Sequence, residues 1–196
     1  MSDPRTIAVY DAQASEYAER FAASAPDRHL QSFISALPNG ARVLDLGCGP
    51  ATASAFLRAA GHDPDPVDAS AAMVALANDR HAINARQASF DDIDADGIYD
   101  GIWANFSLLH APRADLPRHL AALKRALKPG GLFHIGMKLG TGEARDALDR
   151  RYTYVTRTDL TDLLNTAGFT VTDAHEGVET GLAGTSDPFI LVRAHG

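Results

Sequence analysis

The chain has 196 residues, 45% of them hydrophobic, enough to bury one sizeable core, and no linker-like stretch divides it, so a single domain over 1–196 is expected. Lys and Arg number 18 against 25 Asp and Glu, and the formal net charge of −7 argues against a long basic nucleic-acid surface. Cys48 is the sole cysteine, which excludes an internal disulfide and a cysteine zinc cluster.

The opening "MSDPRTIAVYDAQ" lacks a signal-peptide pattern, and no stretch approaches the roughly 18 apolar residues of a membrane span. A cytoplasmic protein with no membrane partner is expected. Tyr10, Tyr17 and Phe21 are spaced by seven and then four among alanines, which predicts a helix over 7–21. A second helix, 29–37, stops at Pro38-Asn39-Gly40. The strand 42–46 starts directly afterwards.

Helix 51–60, a short strand ending at Val67, helix 71–79, an extended segment 83–88, strand 99–106, helix 116–127 and strand 132–137 follow. Pro64 and Pro66 lack the N–H an inner strand needs, so the second strand is expected to include only Val67 and a neighbour or two. After a polar segment 140–151 come helix 158–167 and two extended segments, 169–174 and 189–193. No crossover helix fits between those two, so they should pair antiparallel. The pattern predicts an α/β fold: a doubly wound, mostly parallel seven-stranded sheet with helices on both faces, an antiparallel last strand and an N-terminal helical cap.

The first strand runs into "VLDLGCGP", where Gly47 and Gly49 lack a Cβ to collide with a ligand at the carboxyl end of the sheet. A dinucleotide fingerprint would need a third glycine where Thr52 stands, and no Walker loop occurs. A nucleotide without a pyrophosphate fits better. Asp68, about twenty residues on, lies where an acid accepts hydrogen bonds from ribose hydroxyls, or else caps the next helix.

"LDLGCGP", the acid in "VDASAAM", the strand "YDGIWANFSLLH" and "LKPGG" together resemble class I S-adenosylmethionine-dependent methyltransferases. The resemblance implies that Asp45, Gly47, Cys48 and Gly49 surround the methionine moiety of S-adenosylmethionine, and that Asp68 holds the ribose. Ala69 and Met73 would lie near the adenine, and Asn105 near the sulfonium. Where many relatives carry an acid followed by alanine, this chain has Ser89-Phe90; the Phe90 N–H with the Ser89 or Asp91 side chain would read the adenine. Tyr17 would close over the cofactor, with Tyr10 beside it toward the acceptor. In these terms 1–40 is the cap, 41–138 the cofactor-binding core and 139–196 the acceptor-site segment with the closing strands. S-adenosylhomocysteine would be the product.

Methyl transfer from a sulfonium needs alignment and exclusion of water more than covalent help. If the acceptor must lose a proton, His110 is the first base candidate and Tyr152 the second. His134, inside a strand, is read as structural. In "KLGTGEARDALDRRYTY", Arg145 and Arg150 beside Tyr154 form a candidate acceptor wall suited to an anion. Alternatively those arginines lie on an exposed helix face, paired with Glu143, Asp146 and Asp149. The acidic run Asp91, Asp92, Asp94 and Asp96 lacks the EF-hand glycine and glutamate, so no metal site is expected. The function expected is in-line methyl transfer to a small-molecule acceptor by a monomer or homodimer. A non-catalytic cofactor-binding protein and a nicotinamide-dependent oxidoreductase remain as alternatives.

Overall fold

The computed structural model describes residues 3–196, leaving Met1 and Ser2 of the expected cap outside. Strands β1 (Arg42–Leu46), β2 (Asp63–Asp68), β3 (Arg86–Gln87), β4 (Tyr99–Asn105) and β5 (Leu127–Lys138) run parallel. A separate antiparallel hairpin, β6 (Glu143–Arg145) and β7 (Arg151–Thr153), precedes β8 (Thr170–Thr180) and β9 (Ser186–His195). The seven-stranded sheet has the order β3-β2-β1-β4-β5-β9-β8, with β9 antiparallel to both neighbours. The expected fold class is therefore present, and the strand order reverses between β1 and β4. Ligands bind at such a switch point because the flanking loops diverge there.

The helices are α1 (Pro4–Arg20), α2 (Arg28–Ala36), α3 (Thr52–Ala59), α4 (Ala71–His81), α5 (Leu116–Ala126) and α6 (Arg157–Thr166). Local chemistry starts most of them. Asp3 caps α1 with Pro4 in its first turn, Asp27 caps α2, Ser70 caps α4, and Thr156 with Asp159 forms a capping box on α6. Two lack a side-chain cap: α3, which follows Ala51 at φ 57°, and α5, which has Pro117 in its first turn instead.

Alternation along each strand sends residues to opposite faces. Leu44, Ile102 and Phe133 join Leu120, Leu123, Leu160 and Leu164 in one apolar cluster, whereas Val43, Trp103 and Leu132 pack with Leu30, Phe33 and Leu57 in another. Each fully buried Leu or Phe contributes about 1.5–3 kcal/mol of transfer free energy. The two layers thereby hold the carboxyl ends of β1 and β4 rigidly beside each other.

Two expectations fail here. β2 extends over Asp63–Asp68 despite its prolines. The Asp63 N–H donates to Ala41 and the Val67 carbonyl accepts from Gly47 and Cys48, so the odd positions face β1. Pro64 and Pro66 therefore face the other side, where β3 pairs only with Val67 and Asp68. Their missing donors have no strand opposite them. In the alternative reading of the arginine-rich segment the helix is absent, since β6 and β7 place Arg145 opposite Arg151, whereas the ion pairs with Glu143, Asp146 and Asp149 are present.

Candidate functional site

Tight backbone turns build the site at the ends of β1, β2 and β4. Gly47 has φ 71°, and a Cβ there would lie 2.4 Å from the Ser107 Cβ, so this position requires glycine on both counts. Gly49, at φ 52°, faces Tyr17 Cε1 at 3.7 Å from a notional Cβ. Asp68 accepts hydrogen bonds from the Gly49 N–H and the Ser70 N–H, both at 2.8 Å, joining the glycine turn to the start of α4. An ionised carboxylate has roughly four lone-pair sites, so two remain for a ligand.

Asp45 sends its side chain to the α3 face and accepts from Ser54 Oγ at 2.7 Å. It is 3% exposed, and burial pushes its carboxyl up to about 6; the Ser54 hydrogen bond opposes the shift and the nearby Asp68 charge adds to it. Burial, reinforced by Asp45, also drives the Cys48 thiol well above its ordinary range, which removes it as a nucleophile.

Two cavities meet at this point. One, of about 720 Å³ including its open mouth, is lined by Gly47, Asp68, Ala69, Met73 and Phe90 among others. The larger, about 1910 Å³ with its mouth, includes Asp45, Cys48, Trp103, Arg150, Tyr152 and Phe189. Tyr10, Tyr17, Gly47, Gly49, Asn105 and His110 belong to both linings and frame the window between them. The buried Ser107 Oγ lacks a hydrogen-bond partner and borders the smaller cavity, so that cavity suits a polar ligand. Sequence reasoning missed Ser107, whose role arises only where the β4 loop crosses the glycine turn.

A relay of side chains fixes the window. His110 Nδ1 faces the Arg151 carbonyl at 2.6 Å and must donate to it. Burial lowers His110 to about 4, against the Arg151 hydrogen bond and with help from the Arg150 charge, so the ring is neutral. Its bare Nε2 accepts from the Tyr10 hydroxyl at 2.8 Å, and Tyr10 in turn accepts from Arg150 Nη1 at 3.1 Å. Arg150, 2% exposed, is anchored on Asp146 through Nε at 2.9 Å and Nη2 at 2.6 Å. His110, the expected general base, thus has its one basic nitrogen hydrogen-bonded to Tyr10. Burial raises the Tyr152 hydroxyl far above the phenol range.

Other expected residues fall elsewhere. Arg145 turns outward to Asp3, at 2.8 Å and 2.9 Å, and is outside both linings, as is Tyr154. The Ser89 N–H and hydroxyl both donate to Asp92 in a local cap, and Asp91 pairs with Arg118. Both side chains thus have local partners, while Phe90 stays on the cavity wall. Asn105 Oδ1 accepts from His134 Nε2 at 3.0 Å, and the His134 ring stacks on Trp103 at 3.7 Å. No group of three metal-ligating side chains and no helix long and apolar enough to cross a membrane occur among the described residues.

Known proteins resemble this chain in sequence and fold. A family model described as "Methyltransferase domain" matches residues 15–174. Trans-aconitate 2-methyltransferase from Deinococcus radiodurans is 38% identical over 118 residues, which cover 58% of this chain and 44% of that protein. Malonyl-[acyl-carrier protein] O-methyltransferase from Erwinia billingiae is 36% identical over 96 residues, 47% of this chain and 37% of that one. The alignments thus span less than half the length of either relative. A crystal structure of the 1,6-didemethyltoxoflavin-N1-methyltransferase of Burkholderia thailandensis, with bound 1,6-didemethyltoxoflavin and S-adenosylhomocysteine, superimposes with a TM-score of 0.72 at 22% identity, covering 100% of this chain and 91% of that one. With the family model matched across most of the sequence, on a sheet that carries the glycine turn at its switch point and Asp68 on the neighbouring strand, the chain belongs to the methyltransferase-domain family and has the class I fold of its S-adenosylmethionine-dependent members.

Proposed function

We propose that the chain binds S-adenosylmethionine with its adenosine in the smaller cavity and its methionine moiety reaching through the window to the start of α3, and transfers its methyl group to a small-molecule acceptor in the remainder of the larger cavity. The observation that carries this reading is the shared window: Tyr10, Tyr17, Asn105 and His110 border both cavities, so a donor and an acceptor lodged in them meet there. When bound, the sulfonium compound supplies an activated methyl and a thioether leaving group.

The chain's own residues bind, orient and exclude water. Asp68 accepts from the ribose hydroxyls with its remaining lone pairs. Ala69, Met73 and Phe90 form the apolar walls for adenine, with the Phe90 N–H available to a ring nitrogen. Gly47, Cys48 and Gly49 border the methionine moiety, and Asp45 offers it negative charge. The uncapped start of α3, where Thr52 and Ala53 line the larger cavity, suits its carboxylate. Asn105 lies at the sulfonium end, its amide oriented by His134. Tyr10 and Tyr17, ring centroids 5.7 Å apart, close over the window from α1. Arg150 and His110 hold Tyr10 in place, which makes them positioning residues.

Calorimetry on the full chain with S-adenosylmethionine, S-adenosylhomocysteine and NAD tests the reading. One-to-one binding of the two sulfur compounds without NAD binding is expected; NAD binding alone would overturn it. The acceptor is then sought as the compound that makes the protein release S-adenosylhomocysteine.

A further inference from the structure

At the mouth of the larger cavity, Arg28 at the start of α2 meets His175 on β8 across 147 positions of sequence. Arg28 Nη2 lies 2.6 Å from His175 Nε2, and Arg28 Nε donates to His29 Nε2 at 3.0 Å. The two imidazoles pack with centroids 4.8 Å apart. All three side chains border the cavity. No carboxylate pairs with Arg28 among the described residues. The adjacent Asp27 has its Oδ1 turned to the His29 and Leu30 N–H groups, where it caps α2.

The other cations on this wall differ. Arg150 is held by Asp146, and Lys138 Nζ lies 2.5 Å from Asp187. Arg28 therefore carries the one guanidinium charge of the lining that lacks a counter-ion, and of its roughly five N–H donors only those on Nε and Nη2 meet imidazoles. A planar fork with free donors at a cavity mouth is the arrangement that takes a two-oxygen anion.

The geometry points to an anion subsite, formed by Arg28, His29 and His175, that takes a carboxylate or phosphate on the acceptor remote from the methylated atom. This inference rests on the larger cavity being the acceptor chamber. It agrees with the name of the trans-aconitate relative, whose acceptor carries more than one acid group.

The test uses the full chain and follows the imidazole carbon-bound proton signals of His29 and His175 by NMR, with malonate, inorganic phosphate and uncharged malonamide as probes. Saturable shifts of both signals with an anion and none with malonamide are expected, and the R28Q variant should weaken binding about tenfold or more. Tighter binding of malonate assigns the site to carboxylates, and tighter binding of phosphate to phosphoryl groups. No response to either anion, or an unchanged response in R28Q, overturns the subsite. S-adenosylhomocysteine binding measured on the same sample separates that result from a failure of the methyltransferase reading.

Discussion

Asp68 Oδ2 accepts the Gly49 N–H at 2.8 Å while its Oδ1 takes the Ser70 N–H, so one carboxylate at the end of β2 organises both the glycine turn and the start of α4. The residue is a turn clamp and a ligand acceptor together. Asp68→Ala removes both roles and should weaken S-adenosylhomocysteine binding about tenfold or more, since a hydrogen bond to a charged group is worth roughly 1.5–3 kcal/mol. Calorimetry measures the affinity, and circular dichroism checks that the fold survives. Unchanged affinity in a folded variant would remove Asp68 from the site.

The two glycines of the turn should respond differently to alanine. Both pay the left-handed backbone cost of about 1–2 kcal/mol, but only Gly47→Ala drives a Cβ to 2.4 Å from Ser107, whereas at Gly49 the nearest atom stays at 3.7 Å. Gly47→Ala should therefore lower the Tm distinctly more than Gly49→Ala and abolish S-adenosylhomocysteine binding. Equal losses in the two variants would show that the Ser107 contact yields without cost.

Much of this arrangement was legible because its signals are local. The Gly47 turn, the stop at Pro38-Asn39-Gly40 and the succession of helical and extended segments each depend on a few neighbouring residues. What failed depends on partners far along the chain. Pro64 and Pro66 shorten a strand only if something stands opposite their nitrogens, and that is set by the length of β3. Arg145 and Arg150 look equivalent in sequence, yet the hairpin turns one outward to Asp3 and buries the other beneath Tyr10. The Ser89 cap is different: its Ser-to-Asp spacing is a local signal, and the resemblance alone points to a ligand role there.

Tyr10→Phe keeps the ring in the window but leaves Arg150 Nη1 and His110 Nε2 short of their shared hydroxyl. The loss should be about 1–3 kcal/mol, read as a lower urea midpoint at pH 7. His110 adds a pH signature. Its folded value near 4 lies below the unfolded 6.5, so its contribution to stability is complete above pH 6.5 and is lost as pH falls through 4. Replacing it by Asn should flatten the acid limb between those values. An unaltered slope would mean that His110 is not held neutral.

Asp45 carries the opposite sign. Its carboxyl sits near 6 in the folded chain because burial disfavours the charge, against 3.8 unfolded. The stability this gives is present below 3.8 and lost as pH rises through 6, so at neutral pH the empty protein holds an ionised group it would be more stable without. Asp45→Asn keeps an acceptor for Ser54 Oγ and removes the charge. The variant should be more stable than the parent at pH 8, on the order of 2 kcal/mol, with the gain vanishing below pH 4. The same change should weaken S-adenosylmethionine, whose sulfonium and ammonium charges the carboxylate would offset, so stability and affinity move in opposite directions. Denaturant titrations at pH 4 and pH 8, paired with calorimetry at pH 8, read both. Lower stability at pH 8 would show that hydrogen bonding, and not desolvation, governs Asp45 in the empty site.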